Sequence, residues 1–153
     1  MIQIKGKSVQ FKEDGLSVLA YLGRHSVGRV KSIDNGDGTV LLADIDVDER
    51  VEIQHGTLAR VIRRVLPDWG VVFPRRNGIG RELLKRFIRV CELAEIVEIY
   101  GNVTLDADED QPFLRGWYES FGFVVSPRDG RGECIPTKYE VIWRQRKEGV
   151  PGA

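Results

Sequence analysis

The sequence predicts an α+β domain built on a mixed, mostly antiparallel sheet. Three observations carry that class. The first third alternates short β-rich runs with glycine turns, the pattern of an antiparallel meander. The second half alternates apolar stripes at helical spacing with short apolar runs, so helices and strands take turns. Between the halves lies a glycine turn, Arg75-Arg76-Asn77-Gly78-Ile79-Gly80, that opens directly onto a helix.

The strands come first. Gln3-Ile4-Lys5 and Val9-Gln10-Phe11 flank Gly6-Lys7 and predict a small hairpin. Residues 16–22 form an apolar, β-rich run, and residues 27–33 alternate apolar with polar. Asn35-Gly36-Asp37-Gly38 is a hairpin signal, because a tight turn needs residues that accept positive φ. A strand over 39–47 follows. Its alternation sets Ala43, Ile45 and Val47 on one face and Asp44 and Asp46 on the other. In the segment 48–74, Leu58, Val61, Ile62, Val65 and Leu66 recur at helical spacing, with Arg60, Arg63 and Arg64 between them. That pattern predicts a helix ending at Pro67, which cannot continue one.

Past the glycine turn, residues 79–92 read as an amphipathic helix. Leu83, Leu84, Phe87, Ile88 and Cys91 make the apolar stripe; Arg81, Lys85, Arg86 and Arg89 lie on the other side. Residues 96–100 predict a buried strand. Phe113, Leu114, Trp117, Tyr118 and Phe121 mark a second helix, closed by Gly122 as C-cap. A strand starts at 123–125, residues 128–135 form a glycine-rich loop, and residues 138–143 are the last strand. The acidic run 106–110 reads as an exposed loop whose Asp110 caps the second helix before Pro112; cation or amine binding is its second reading. Residues 148–153 read as a flexible tail after a single domain over 1–147.

Composition sets bounds on function. The 153 residues suffice for one domain with a sizeable core. A formal net charge of +0, from 23 basic and 23 acidic residues, argues against nucleic-acid binding driven by overall charge. No apolar run is long enough to span a membrane, and residues 1–15 lack the core of a signal peptide, so a cytoplasmic location is expected. Two cysteines, Cys91 and Cys134, make neither a disulfide framework nor a zinc spacing. No metal is expected. Cys91, on an apolar stripe, is expected to be a buried, reduced thiol.

The glycine turn is the main candidate for chemistry. Gly78 and Gly80 carry no Cβ, so a bulky ligand can approach the backbone. The helix behind them directs unpaired N–H groups and the positive end of its dipole into the turn, an arrangement that binds phosphate. Arg75 and Arg76 add cationic donors.

The order glycine turn, helix, strand, helix, Trp117-Tyr118-Glu119-Ser120-Phe121-Gly122-Phe123, strand resembles the GNAT superfamily of acetyl-CoA-dependent N-acetyltransferases. Arg75-x-x-Gly78-x-Gly80 looks like that family's pyrophosphate loop. Tyr118-Glu119-x-x-Gly122-Phe123 looks like the end of its last helix. The resemblance is good over 75–144 and extends to the meander over 16–47. It implies a three-layer α/β arrangement with helices on both faces of the sheet. It further implies acetyl transfer from acetyl-CoA to a primary amine by direct attack in a ternary complex, with coenzyme A as product.

Residue by residue, the resemblance implies cofactor contacts at Arg75, Arg76, Asn77, Gly78, Ile79, Gly80 and Arg81. Backbone groups near Ile45 and Val47 would hold the acyl chain. Tyr118 is the implied general acid for the departing thiolate. Asp44 and Asp46 are the candidate bases; His55 and Glu52 are alternatives, and a base is not obligatory. His25 reads as a turn residue. Arg60, Arg63 and Arg64 read as a solvated face, or as reaching an acidic substrate or the cofactor's ribose phosphate.

The sequence departs from the family twice. There is no room before residue 16 for the family's N-terminal helix pair, so that pair is reduced or absent. Residues 48–74 intervene where the family's fourth strand runs almost directly into the loop, and this inserted segment could replace the missing substrate wall. An alternative register makes 70–73 that fourth strand; 39–47 is preferred because the hairpin before it completes the meander.

Three rival functions stay open: a non-catalytic module with this fold, an acyltransferase using a longer acyl-CoA, and one acting on a protein amine. A Rossmann-type dinucleotide domain is disfavoured, because the turn has two glycines and a meander, not a βαβ unit, precedes it. The amine acceptor is not legible, and a homodimer is left open.

Overall fold

The computed structural model describes residues 1–48, 50–104, 111–127 and 138–146. The expected acidic loop 106–110, the loop 128–135, Cys134 and the tail lie outside the described residues. The chain divides into two compact units, Met1–Lys31 with Asp44–Ile88, and Ser32–Ala43 with Arg89–Ala153. Of the three dividing points, two fall inside strands and the third, between Ile88 and Arg89, inside a helix.

The first unit begins with a chain of hairpins. β1 (Gln3–Ile4) and β2 (Lys7–Asp14) pair antiparallel around a two-residue turn. Lys5 and Gly6 in that turn have φ of 49° and 76°, the two positive values that a turn matching strand twist requires. β2 pairs with β3 (Ser17–Leu22) across Gly15-Leu16, with Asp14 opposite Ser17. No helix precedes β5 in the described residues. β3 pairs with β4 (His25–Asp34) through a bulge between Ala20 and Tyr21. β5 (Thr39–Val47) is the expected strand with unchanged bounds.

The segment between β5 and the glycine turn is closed at its base. β6 (Val51–Glu52) and β7 (Val71–Val72) form a separate two-stranded sheet around α1 (Thr57–Val65). Gly70 accepts from the Ile53 N–H at 2.8 Å, and Arg50 donates to Pro67 O at 3.1 Å. The rival register for the fourth strand therefore does not hold: Val71–Val72 pairs with β6, not within the large sheet. α1 buries Ala59 and leaves Leu58, Val61, Val65 and Leu66 exposed. The apolar spacing foretold the helix but not which side it covers.

A 3-10 turn over Pro74–Asn77 leads into α2 (Ile79–Leu93). Ile79, Leu83, Leu84 and Phe87 are fully buried, as the stripe requires. Across the helix, Arg86 pairs with Glu82 at 3.0 Å and lies over the Phe11 ring at 4.6 Å.

In the second unit, β5 pairs parallel with β8 (Glu98–Thr104), Thr39–Leu41 matching Glu98–Tyr100. β8 pairs antiparallel with β10 (Lys138–Arg144), and β10 with β9 (Val124–Pro127). α3 (Gln111–Glu119) precedes β9. The hydrogen-bonded order is β1-β2-β3-β4-β5-β8-β10-β9, mixed and mostly antiparallel. β8 runs four residues beyond the expected end at Tyr100, through Gly101 and Asn102. Pairing with β10 along its full length overrides the weak strand preference of those two. Cys91 is free and buried, and burial pushes its thiol up to about 12.

Candidate functional site

The glycine turn is held in place locally. Pro74 opens the 3-10 turn, where its fixed φ suits the first position. The Asn77 side-chain amide donates to Phe73 O at 2.7 Å, so this side chain ties the turn to itself. Gly78 ends the turn at φ 75° and ψ 16°, in the left-handed region that favours glycine. A Cβ on Gly78 would meet nothing within 4 Å, so the space beside it is open. α2 then begins at Ile79, and its Glu82 N–H bonds to Gly78 O at 3.2 Å. The first-turn N–H groups of such a helix have no intrahelical acceptor. Ile79 is buried and anchors the helix start, while Gly78 and Arg81 are exposed.

Two further contacts brace the turn. β1 packs against it, and Lys5 Nζ donates to Val71 O just before it. Gly28, on β4, is the residue that sequence reasoning missed. A Cβ there would meet Asp46 O and Leu83 Cδ1 at 3.1 Å and Ile79 Cγ2 at 3.4 Å. Gly28 therefore lets the start of α2 and the end of β5 close up on one point of β4. A glycine inside an alternating strand pattern signals such a close approach, and the signal was there to be read at Gly28.

Asp44, Ile45, Asp46 and Val47 lie in the same compact unit as the glycine turn. Asp44 is exposed and Asp46 half-buried, and neither carboxylate is engaged in a bond or ion pair among the described residues. Glu52 is less available as a base, because Arg63 (3.3 Å) and Arg50 (3.7 Å) both face it. His25, expected in a turn, begins β4 instead, and its ring lies 5.4 Å from that of His55. Arg63 is nearly buried and is tied to Glu52 and to Gln54 O at 2.9 Å. Arg60 and Arg64 are exposed.

Tyr118 lies in the other unit, and a Schellman cap fixes its place. Phe123 N–H bonds back to Tyr118 O at 3.3 Å and Gly122 N–H to Glu119 O at 3.0 Å, with Gly122 at φ 90°. That is the paired 6→1 and 5→2 pattern, completed by the apolar contact between its two ends. Here the contact is Tyr118 against Phe123, edge to face at 5.7 Å; Trp117 meets the Tyr118 ring at 5.0 Å. The spacing Tyr-x-x-x-Gly-Phe is thus first a stop signal for α3.

No helix among the described residues is long and apolar enough to cross a membrane. No group of three or more His, Cys, Asp or Glu among them could hold a metal ion.

Neither a protein-family model nor a curated protein matches the sequence. Solved structures do match the fold. Ard1 from Thermoplasma volcanium superposes with TM-score 0.52 at 17% identity, over 84% of this chain and 68% of its own. The PaiA N-acetyltransferase of Thermoplasma acidophilum, solved with coenzyme A, gives 0.51 at 16%, over 85% of this chain and 60% of its own. The ribosomal-protein-S18-alanine N-acetyltransferase of Escherichia coli gives 0.53 at 16%, over 91% and 76%. The fold is that of the GNAT acetyltransferases.

Proposed function

We propose that this chain is an N-acetyltransferase that moves an acetyl group from acetyl-CoA to a primary amine by direct attack in a ternary complex. The observation that carries the reading is the Arg75-x-x-Gly78-x-Gly80 turn at the start of α2, in a chain with the GNAT fold. The open space beside Gly78 and the helix start behind it fit a pyrophosphate. Arg75 to Arg81 would hold that group, and backbone N–H and C=O groups of Ile45 and Val47 would hold the acyl arm. Acetyl-CoA supplies an activated acyl carbon as its thioester. Asp44 or Asp46 would accept the amine proton, and the Tyr118 hydroxyl would donate one to the leaving sulfur.

Calorimetric titration with acetyl-CoA, with coenzyme A and NAD alongside, tests the loop. Saturable acetyl-CoA binding is expected, lost in Gly80→Leu. Binding that survives the bulky residue removes the loop assignment. A wild-type protein that binds none of the three supports the non-catalytic module instead.

A further inference from the structure

The exposed side of α1 has the composition of a buried one. Leu58, Val61 and Val65, three and four residues apart, form one stripe, and Leu66 follows them at the helix end. They are 72%, 52%, 82% and 57% exposed. Inside, the helix rests on Ala59, half-buried Ile62 and Arg63, whose side chain is 11% exposed. Arg63 is held there by Glu52, Gln54 O and Trp69 O. A helix that buries an arginine and shows water its leucine and valines is oriented by something other than its own core. Contiguous apolar surface of this kind marks an interaction site.

Charge says what kind. α1 carries three arginines and no acid. Arg63 is neutralised by Glu52; Arg60 and Arg64 are exposed and have no partner among the described residues. The face is therefore apolar with unpaired positive charge beside the stripe. A second copy placed on it by a two-fold axis would set Arg60 and Arg64 against their own equivalents, an unfavourable like-charge contact. A nine-residue helix is also only about 14 Å long, too short to supply the ~800 Å² per partner of a stable interface. It is long enough for a peptide.

We propose that α1 docks an acidic peptide segment of another protein, one that lays apolar side chains along Leu58, Val61 and Val65 and sets carboxylates against Arg60 and Arg64. Apolar burial supplies the attraction, and the two arginines select sign and register. This inference does not depend on the acetyl-transfer reading.

The test is direct binding to the full chain. The probe is a labelled synthetic peptide of about four helical turns, with leucines at helical spacing and glutamates beside them, followed by fluorescence anisotropy. Saturable binding is expected, weaker in high salt, and weakened roughly tenfold or more by Val61→Asp and by Arg60→Glu with Arg64→Glu. Leu93→Asp, at an exposed apolar residue of α2, leaves binding unchanged. If Val61→Asp does not fold, the arginine reversal carries the test. The proposal is overturned if the peptide does not saturate, if neither α1 variant weakens it, or if a lysine-for-glutamate peptide binds equally well. It is also overturned if sedimentation shows self-association abolished by the α1 variants, which assigns the face to a second copy. Tighter, arginine-dependent binding to phosphatidylglycerol vesicles than to the peptide overturns it in favour of a lipid surface.

Discussion

Tyr118 has two parts with separable duties. Its ring closes the cap of α3 against Phe123 and meets Trp117; its hydroxyl is the group proposed to protonate the leaving sulfur. Tyr118→Phe keeps the ring and removes only the hydroxyl. The variant is expected to bind acetyl-CoA normally, while turnover falls roughly 10²-fold for lost acid catalysis. Steady-state kinetics beside calorimetry separates the two, and an unchanged rate takes Tyr118 out of the mechanism. A second residue-scale prediction comes from the end of α2. Ile96 N–H bonds to Cys91 O at 2.9 Å and Glu95 N–H to Glu92 O at 3.1 Å, another Schellman cap, but its left-handed position at φ 61° is held by Glu95. A side chain there is strained where glycine is not. Glu95→Gly is expected to raise stability by about 0.5–1 kcal/mol in urea unfolding, a net of relieved strain over glycine's larger unfolded-state entropy. A destabilised variant would mean that the Glu95 side chain does more than sit in a strained turn.

Elements were legible where local chemistry and packing agree. β5 was readable to the residue because Asn35-Gly36-Asp37-Gly38 fixes where it begins. Asp37 now accepts from the Thr39 N–H at 3.0 Å and from the Thr39 hydroxyl at 2.6 Å. That hydroxyl bond, more than any other contact, holds the Asp37 carboxyl below its ordinary value. Its support is complete above the usual carboxylate range and is lost as pH falls through the lowered value. α2 was legible because its stripe and its burial coincide. β6 and β7 were not, because two-residue strands leave no period to read. The cap at Glu95 carried no turn residue to announce it. α1 was legible as a helix and illegible in orientation, since which side turns inward was decided by bonds from Arg63 to Glu52 and Gln54 rather than by apolarity. The candidate site divides the same way. The glycine turn announced itself, whereas Gly28 signals a close approach without saying that the end of β5 and the start of α2 are what meet there. Gly28→Val would drive methyl groups into Asp46 O, Ile79 and Leu83. Such overpacking is expected to cost about 1–3 kcal/mol of stability. Because α2 must shift to relieve it, acetyl-CoA affinity should fall even at temperatures where the variant is folded. Calorimetry well below its melting point checks this; full affinity would show that the turn does not depend on that contact.

For the whole molecule, the division into units does not follow the chain. It cuts β4 between Lys31 and Ser32, β5 between Ala43 and Asp44, and α2 between Ile88 and Arg89, so each unit is made of two separate stretches. A strand cannot melt on one side of such a cut without fraying on the other. We therefore propose that residues 1–147 fold as one domain, and a single cooperative thermal transition is expected. Ligand linkage then joins the stability prediction to the functional one. A ligand that binds only the folded chain, at 100 times its dissociation constant, adds ~2.7 kcal/mol. For a domain of this size that raises the melting temperature by roughly 5–10 °C. Acetyl-CoA should produce that shift in the wild type and in Tyr118→Phe, whose cofactor contacts are intact, but not in Gly80→Leu, whose turn is blocked; NAD should produce none. The pattern across the three proteins carries more than any single value. A shift kept in Gly80→Leu would move the cofactor away from the glycine turn while leaving acetyl-CoA as the ligand. Two separate transitions, of which acetyl-CoA moves one, would overturn the single-domain proposal without touching the assignment of the cofactor.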